Sequence, residues 1–354
     1  ASLHGLTEIL SHVTTPKYEP FVEKMLVELF ETDGSDHRLL SAPTAHQLVE
    51  KYGVAEDGSC VRDFNPDDPL LRNYLTKCIN ISPALEAALT RIRREILFSL
   101  LDSISRTAAD LATIIALQSF NNEYLHYCDA EETSTVATLR LKLEGWFSSG
   151  NSVEMLEPKL LAFAMYRPLS EIAGAADQVD FLERHGFINL RSVIRVTLRD
   201  AEEEKNMESS ISSFSEINDE TSRNVRTQYE EHPYPRWLHI PRTSPVNLPK
   251  QLKEKFPYFS QAEALKNPQT ILIAGCGTGR HAASVAMQWP QANILAIDLS
   301  KRSIAYAMRK AKELNISNIR FRHGDIMEAH RLKGPFDMVQ SVGVLHHMKD
   351  PLAG

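Results

Sequence analysis

Three short stretches near the C-terminal end of the 354-residue sequence carry residue types and spacings that could hold a ligand. Gly275-Cys276-Gly277-Thr278-Gly279-Arg280-His281 follows the apolar run Ile271-Leu272-Ile273-Ala274. Glycines at such a turn let the backbone approach a ligand closely, and they leave the first N–H groups of the next helix free to point at polar atoms. Asp298, with Leu299 after it, ends a second apolar run about 20 residues beyond the last glycine, where an acidic side chain can accept hydrogen bonds from ribose hydroxyls. Gly324-Asp325-Ile326 follows a third run. Asp325 could accept a bond from an adenine amino group, and Ile326 could pack on the ring. Together these residues describe a site for an adenosine-containing molecule.

The glycine spacing separates two such molecules. A dinucleotide fingerprint, G-x-G-x-x-G, would place its last glycine at position 280, which is Arg280. The tighter G-x-G-x-G spacing suits S-adenosylmethionine, which has no pyrophosphate and would set a carboxylate and a sulfonium near the turn. Residues 270–347 resemble the first half of a class I S-adenosylmethionine-dependent methyltransferase. The stretches that carry the resemblance are ILIAGCGTGRH (271–281), LAIDLS (295–300), GDIMEA (324–329) and FDMVQSVGVLHHMKDP (336–351). Upstream, QYEEHPYPRW (228–237) and ALQSFNNEYLHYCDAEE (116–132) resemble a bacterial group in which tetratricopeptide-containing proteins carry a C-terminal methyltransferase domain, although no repeat is visible here.

The resemblance implies that Gly275, Gly277 and Gly279 line the methionine and ribose side, Asp298 holds the ribose diol, and Asp325 and Ile326 contact adenine. Ser341 and Leu299 join the cofactor set. The family often has an acidic residue two places before the first glycine. Here that place is Ile273, so the contact to the ligand's amino group is expected from elsewhere, and Arg280 and His281, at the helix start, are expected to address its carboxylate. For Arg280 a plain surface charge is the alternative.

Methyl transfer is an in-line displacement from an activated leaving group, so alignment and exclusion of water supply much of the rate. A base is needed only where the acceptor must lose a proton. In the resemblance the acceptor meets the methyl group at the end of the fourth strand, here Ser341-Val342-Gly343-Val344-Leu345-His346-His347. His346 and His347 are the catalytic candidates against a packing or capping role. As neighbours they are expected to point differently, with at most one facing the pocket. Nucleic-acid amino methyltransferases usually carry an Asn/Asp-Pro-Pro-aromatic run there, and its absence points to a small-molecule or peptide-like acceptor. Tyr229 and Tyr234 lie where similar enzymes fold a lid over the cofactor; Tyr229 is assigned to the cofactor and Tyr234 to substrate. Asn122, at the end of an apolar helix, either caps that helix or touches substrate. A second reading makes the protein a non-catalytic cofactor sensor or scaffold whose helical domain binds a partner, and the acid missing at Ile273 keeps it open. A nicotinamide-dependent oxidoreductase is the third, and Arg280 disfavours it.

These residues need elements to position them. Apolar runs alternating with helical patterns after Thr270 predict βαβ units in a parallel sheet, with strands near 271–274, 294–297, 319–322 and 336–340 and helices over 280–288 and 300–314. The fold class is α/β: a Rossmann-like methyltransferase domain preceded by an all-α domain. The family's sheet has seven strands in the order 3-2-1-4-5-7-6. Only strands 1–4 fit before Gly354, so a C-terminally incomplete domain is expected. Upstream, Leu85, Leu89, Ile92, Ile96 and Leu100 make an amphipathic stripe behind the cap Ser82-Pro83. Similar patterns cover 106–127, 131–147, 153–165, 168–175 and 188–203. A Ser- and acid-rich stretch, 204–222, reads as a linker, and Asp219 as the cap of a helix over 219–230. Dense prolines between 233 and 249 read as a loop ordered by burial of Tyr234 and Trp237. The expected domains are 1–205 (all-helical), 206–248 (linker, helix and Pro-rich lid-like segment) and 249–354 (S-adenosylmethionine-binding).

With 39 Lys and Arg against 46 Asp and Glu, the net charge is −7. No basic footprint for nucleic acid appears. Arg191, Arg195 and Arg199 fall on one helix face, either solvated or facing an anion. The four cysteines are scattered, with neither zinc-ligand spacing nor a disulfide framework. No apolar run is long enough to span a membrane, and a reducing, cytoplasmic setting is expected.

Overall fold

The computed structural model describes residues 3–12, 15–102, 105–149, 155–185, 187–217, 219–231, 236–260 and 266–352. The chain divides into two compact units, Ala1–Glu202 and Glu203–Gly354.

Among its described residues the first unit is built from helices. These are α1 (Leu3–Ser11), α2 (Pro20–Glu31), α3 (His37–Tyr52), α4 (Pro69–Lys77), α5 (Pro83–Asp102), α6 (Arg106–Asn121), α7 (Ala130–Ser149), α8 (Leu156–Ala164), α9 (Val179–Arg184) and α10 (Arg191–Ile194). Helix α5 packs on α6 and α8, α4 on α3 and α6, and α7 on α8. Their buried faces (Leu70, Tyr74, Leu97, Leu100, Ile114, Phe163) form one continuous core. Side-chain caps set the helix starts. Ser82 Oγ accepts from Leu85 N at the start of α5, and Asp68 Oδ1 accepts from Leu70 N at the start of α4. Such caps contribute about 1 kcal/mol each.

Helix α6 stops at Asn121, six residues before the apolar pattern predicts. Asp129 and Glu132 form a reciprocal capping box, Glu132 N to Asp129 Oδ1 at 2.7 Å and Asp129 N to Glu132 Oε2 at 2.9 Å. The box holds Asp129 outside any helix, so α7 must begin afresh behind it. The connecting turn takes left-handed backbone at Glu123 (φ 59°) and Tyr124 (φ 60°), and Tyr124 N closes it on Ser119 O. A second departure falls at Arg195–Arg199, a π-helical stretch that takes the expected arginine stripe off regular α spacing. Arg199 there pairs with Asp180, Glu183 and Glu202.

In the second unit, α11 (Asp200–Ser210), begun just before the boundary, leads to α12 (Glu220–Glu231) and α13 (Leu248–Lys255). The pattern β1 (Thr270–Ala274), α14 (Arg280–Gln288), β2 (Asn293–Asp298), α15 (Lys301–Glu313), β3 (Ile319–His323) and β4 (Met338–Gln340) follows. The four strands form one parallel sheet in the order β3-β2-β1-β4, the order the resemblance implies for these four. Ile271, Ile273, Ile294 and Ala296 pack with Ala282, Val285, Ile304 and Ala305 of α14 and α15. Leu272, Ala274 and Ile297 pack with Leu332 on the other face, where Phe214 and Phe336 cover them. The central strands β1 and β2 thus bury both faces, as in the interior of a parallel sheet. β4 starts at Met338, two residues later than expected. Asp337 ahead of it is taken up by the backbone N–H groups of Gln269 and Thr270 and by the Thr270 hydroxyl. These bonds hold its carboxyl below the usual carboxylate range. Val339 on this strand is 61% exposed.

The stretch read as a linker is part of the second unit's structure. Ser213 forms a parallel bridge with His323, Phe214 N donates to His323 O, and His323 N donates to Ser212 O. Ser and acid content hides this pairing because the energy comes from backbone bonds to β3, not from side chains. The Pro-rich loop is ordered as expected at Trp237, which is 5% exposed. Its indole N–H donates to Thr278 O at 2.8 Å, and its backbone exchanges bonds with the Tyr306 hydroxyl. Tyr234 lies outside the described residues.

A buried histidine of the first unit supplies a test. His126 is 8% exposed, and its Nε2 lies 2.8 Å from Asn122 Nδ2. Burial, with the Arg93 charge second, pushes its imidazole from 6.5 down to about 4. The folded value lies below the unfolded one, so the unfolded chain binds the extra proton as pH falls from 6.5 towards 4. Stability present above pH 6.5 is therefore lost through that window, by up to about 3 kcal/mol. Urea unfolding followed by helical circular dichroism should show lower stability at pH 5 than at pH 7, and a His126→Gln chain should show a smaller difference.

Candidate functional site

At the carboxyl ends of the strands a cavity of about 930 Å³ opens, within the range of small-molecule sites. Its floor is the glycine turn between β1 and α14. Gly275 has φ 76°, and a Cβ placed on it would stand 2.2 Å from Val344 Cγ2. Only glycine permits both that backbone and that approach. Gly279 (φ 83°) does not line the cavity as expected. A Cβ there would meet Ala307 at 2.4 Å, so its lack of a side chain lets α14 start close against α15. Trp237 braces the turn from outside through Thr278 O.

Asp298, at the end of β2, faces this floor. Its Oδ2 accepts from Gly277 N at 2.7 Å and its Oδ1 from Ser300 N at 2.9 Å. Burial pushes the carboxyl up, while the N–H groups of Ser300, Gly277 and Leu299 pull it back. Each oxygen keeps lone-pair capacity beyond its one backbone bond, which suits a vicinal diol. Asp325, 2% exposed, lines the wall beyond β3 with Ile326 and Met327. Its Oδ1 accepts from Met327 N, and its own N–H donates to Ser215 Oγ. His323 fastens the same corner. Its Nδ1 lies 2.9 Å from Ser213 Oγ and its Nε2 3.0 Å from Leu299 O. Burial lowers its basicity, which favours the neutral ring these bonds use.

The opposite wall is one face of α12, on which Thr221, Val225 and Tyr229 stand four residues apart. Asp219 caps this helix through Ser222 N, as expected. Its C-terminal end is fastened to α15: Ser300 Oγ donates to Tyr229 O, Lys301 N to Glu230 Oε1, and Arg302 to Glu230 O. Tyr229 OH comes within 3.4 Å of His347 Nε2, with the rings edge to face.

Both His346 and His347 line the cavity, where at most one was expected. They sit in a 3₁₀ turn, Leu345–His347, and their rings lie 4.0 Å apart. Arg280 and His281 also line the cavity, and His281 Nε2 lies 2.7 Å from Gln340 Oε1 on β4. Ser341 does not line it; its hydroxyl is buried without a hydrogen-bond partner among the described residues. Asn122 belongs to the first unit, where it closes α6 and meets His126. Ile273 lies in the sheet core, 1% exposed.

Sequence reading missed Thr221, Ser222, Val225, Met327 and Met348, all of which line the cavity. The 221-225-229 spacing was a usable signal for the α12 face. The apolar residues carried none, because isolated Val and Met fit any core. Among the described residues no group of three or more His, Cys, Asp or Glu is placed to hold a metal, and no helix is long and apolar enough to cross a membrane.

Residues 271–353 match the family model of a methyltransferase domain. Together with the strand order and the cavity at the strand ends, the match supports a class I S-adenosylmethionine-dependent methyltransferase, with the cofactor implied by the family. The chain is 31% identical over 154 residues to an uncharacterized protein of Synechococcus sp., covering 41% of this chain and 36% of that protein. It is 32% identical over 99 residues to a tRNA (guanine-N(7)-)-methyltransferase of Rubrobacter xylanophilus, covering 28% and 43%. It is 40% identical over 80 residues to a trans-aconitate 2-methyltransferase of Deinococcus radiodurans, covering 23% and 28%. The matched stretches thus span less than half the length of each relative.

The cradle at Gly275 makes a steric prediction. Gly275→Ala should destabilise the chain by about 1–3 kcal/mol, through left-handed backbone strain and overlap with Val344. Adding Val344→Ala should recover the overlap but not the strain. Urea unfolding of the single and double variants checks both parts.

Proposed function

We propose that the second unit binds S-adenosylmethionine and transfers its methyl group to a small-molecule or peptide-like acceptor. The observation that carries this reading is Asp298, a half-buried carboxylate at the end of β2 held by the Gly277 and Ser300 N–H groups over a glycine turn. Its free lone pairs suit the ribose hydroxyls. Asp325 and Ile326 suit the adenine amino group and ring, and the cradle at Gly275 suits the thinner methionine arm. When bound, the cofactor supplies a methyl group already activated as a sulfonium.

The chain's own residues then have three tasks. Asp298 and Asp325 fix the nucleoside, α12 closes one side, and Val342, Val344 and Met348 exclude water where the acceptor enters. His347, within reach of the Tyr229 hydroxyl, and His346 beside it are positioned to take a proton from an acceptor that must lose one. Named acceptors among the relatives include a tRNA guanine and trans-aconitate. The absence of an Asn/Asp-Pro-Pro-aromatic run after β4 favours the small-molecule side of that range. The motifs at 116–132 and 228–237 support placing the chain with the tetratricopeptide-associated methyltransferases.

Calorimetric titration with S-adenosylhomocysteine and with NAD tests the cofactor. The sulfur ligand should bind and NAD should not. Asp298→Ala should weaken S-adenosylhomocysteine binding at least about tenfold, since hydrogen bonds to a charged group contribute about 1.5–3 kcal/mol. Full affinity in that variant would remove the ribose assignment.

A further inference from the structure

An α-amino acid arm brings an ammonium group into the cavity, and a desolvated cation needs an acceptor. The N–H groups at the start of α14, which follows the glycine turn, suit the arm's carboxylate and not its ammonium. The strand position nearest the turn that could carry an acid is Ile273, closed in the core. Its register partner on the neighbouring strand is Gln340. The Gln340 amide nitrogen donates to Met338 Sδ at 2.9 Å, and the amide oxygen faces His281 Nε2 at 2.7 Å. An oxygen acceptor there requires the proton on Nε2, which leaves Nδ1 of the neutral ring as an acceptor. His281 is the second residue of α14 and lines the cavity beside the glycine turn. The other carboxylates of the cavity have different positions. Asp298 and Asp325 stand beneath the nucleoside half, while Asp219 and Asp350 are exposed and cap local turns through Ser222 N and Leu352 N.

We infer that His281, its tautomer fixed by Gln340, accepts a hydrogen bond from the ammonium group of the cofactor's methionine arm and replaces the carboxylate missing at Ile273. The inference rests on the cofactor reading above. Gln340 is a positioning residue in this arrangement, because it acts only through the ring it orients.

Two nucleosides separate the roles. S-adenosylhomocysteine carries the amino acid arm; 5′-methylthioadenosine shares the adenosine and thioether and lacks it. Calorimetry on the 354-residue chain should find that His281→Ala weakens S-adenosylhomocysteine about tenfold and leaves 5′-methylthioadenosine unchanged. Gln340→Leu should shift the same ratio in the same direction, and Gln340→Glu, which still accepts from Nε2–H, should restore it. Retained 5′-methylthioadenosine binding certifies that each variant is folded. Unchanged S-adenosylhomocysteine affinity in His281→Ala, as expected if an exposed carboxylate takes the ammonium, overturns the inference. A parallel loss of both ligands does so too. If the unsubstituted chain binds neither nucleoside, the cofactor reading falls and takes this inference with it.

Discussion

The carboxylate of Asp298 joins parts of the second unit that are distant in sequence. One oxygen takes the N–H of Gly277, in the turn that follows β1, and the other takes the N–H of Ser300, where α15 begins. Burial disfavours its charged form, and those N–H groups offset the cost. The Ser300 hydroxyl carries the connection onward, accepting from Ser303 N inside α15 and donating to Tyr229 O at the end of α12. Asp298 and the Ser300 hydroxyl thus tie the cavity's floor to its α12 wall through four hydrogen bonds, each with a backbone partner. Backbone partners make the arrangement tolerant of side-chain change except at Asp298 and Ser300.

The rest of the unit braces this centre unevenly. On the nucleoside side Trp237 supports the glycine turn, Ser213 and Ser215 fasten His323 and Asp325, and the corner is buried. On the acceptor side Val342, His346, His347 and Lys349 are exposed. Rigid, prepaid geometry lies where one invariant ligand would sit, and open surface lies where the acceptor would enter. That division is the one methyl transfer asks for, since the activated methyl needs alignment more than it needs a strong catalytic group.

Local signals made much of this legible in sequence. The apolar run 271–274, the glycine turn and Asp298 lie within one βαβ unit, so their spacing alone predicts their meeting, and the sheet order for four strands follows from the same pattern. Non-local pairing defeated the reading elsewhere. Ser212–Ser215 looks like a linker by composition, and only the unpaired edge of β3 gives it a partner. The overrun of α6 came from the turn at Glu123 and Tyr124, whose left-handed backbone ends the helix without interrupting the apolar pattern. The histidine pair was misjudged because adjacency was taken to send the two rings different ways, whereas they lie 4.0 Å apart and both line the cavity. Gly279 shows that a motif residue can serve helix packing while its neighbours line the cavity.

The most direct measurement is a crystal structure of the chain with S-adenosylhomocysteine. The account predicts both ribose hydroxyls within about 3.2 Å of the Asp298 carboxylate oxygens, with adenine against Ile326. A ligand whose ribose makes no contact with Asp298, or one that occupies a different cavity, would contradict it.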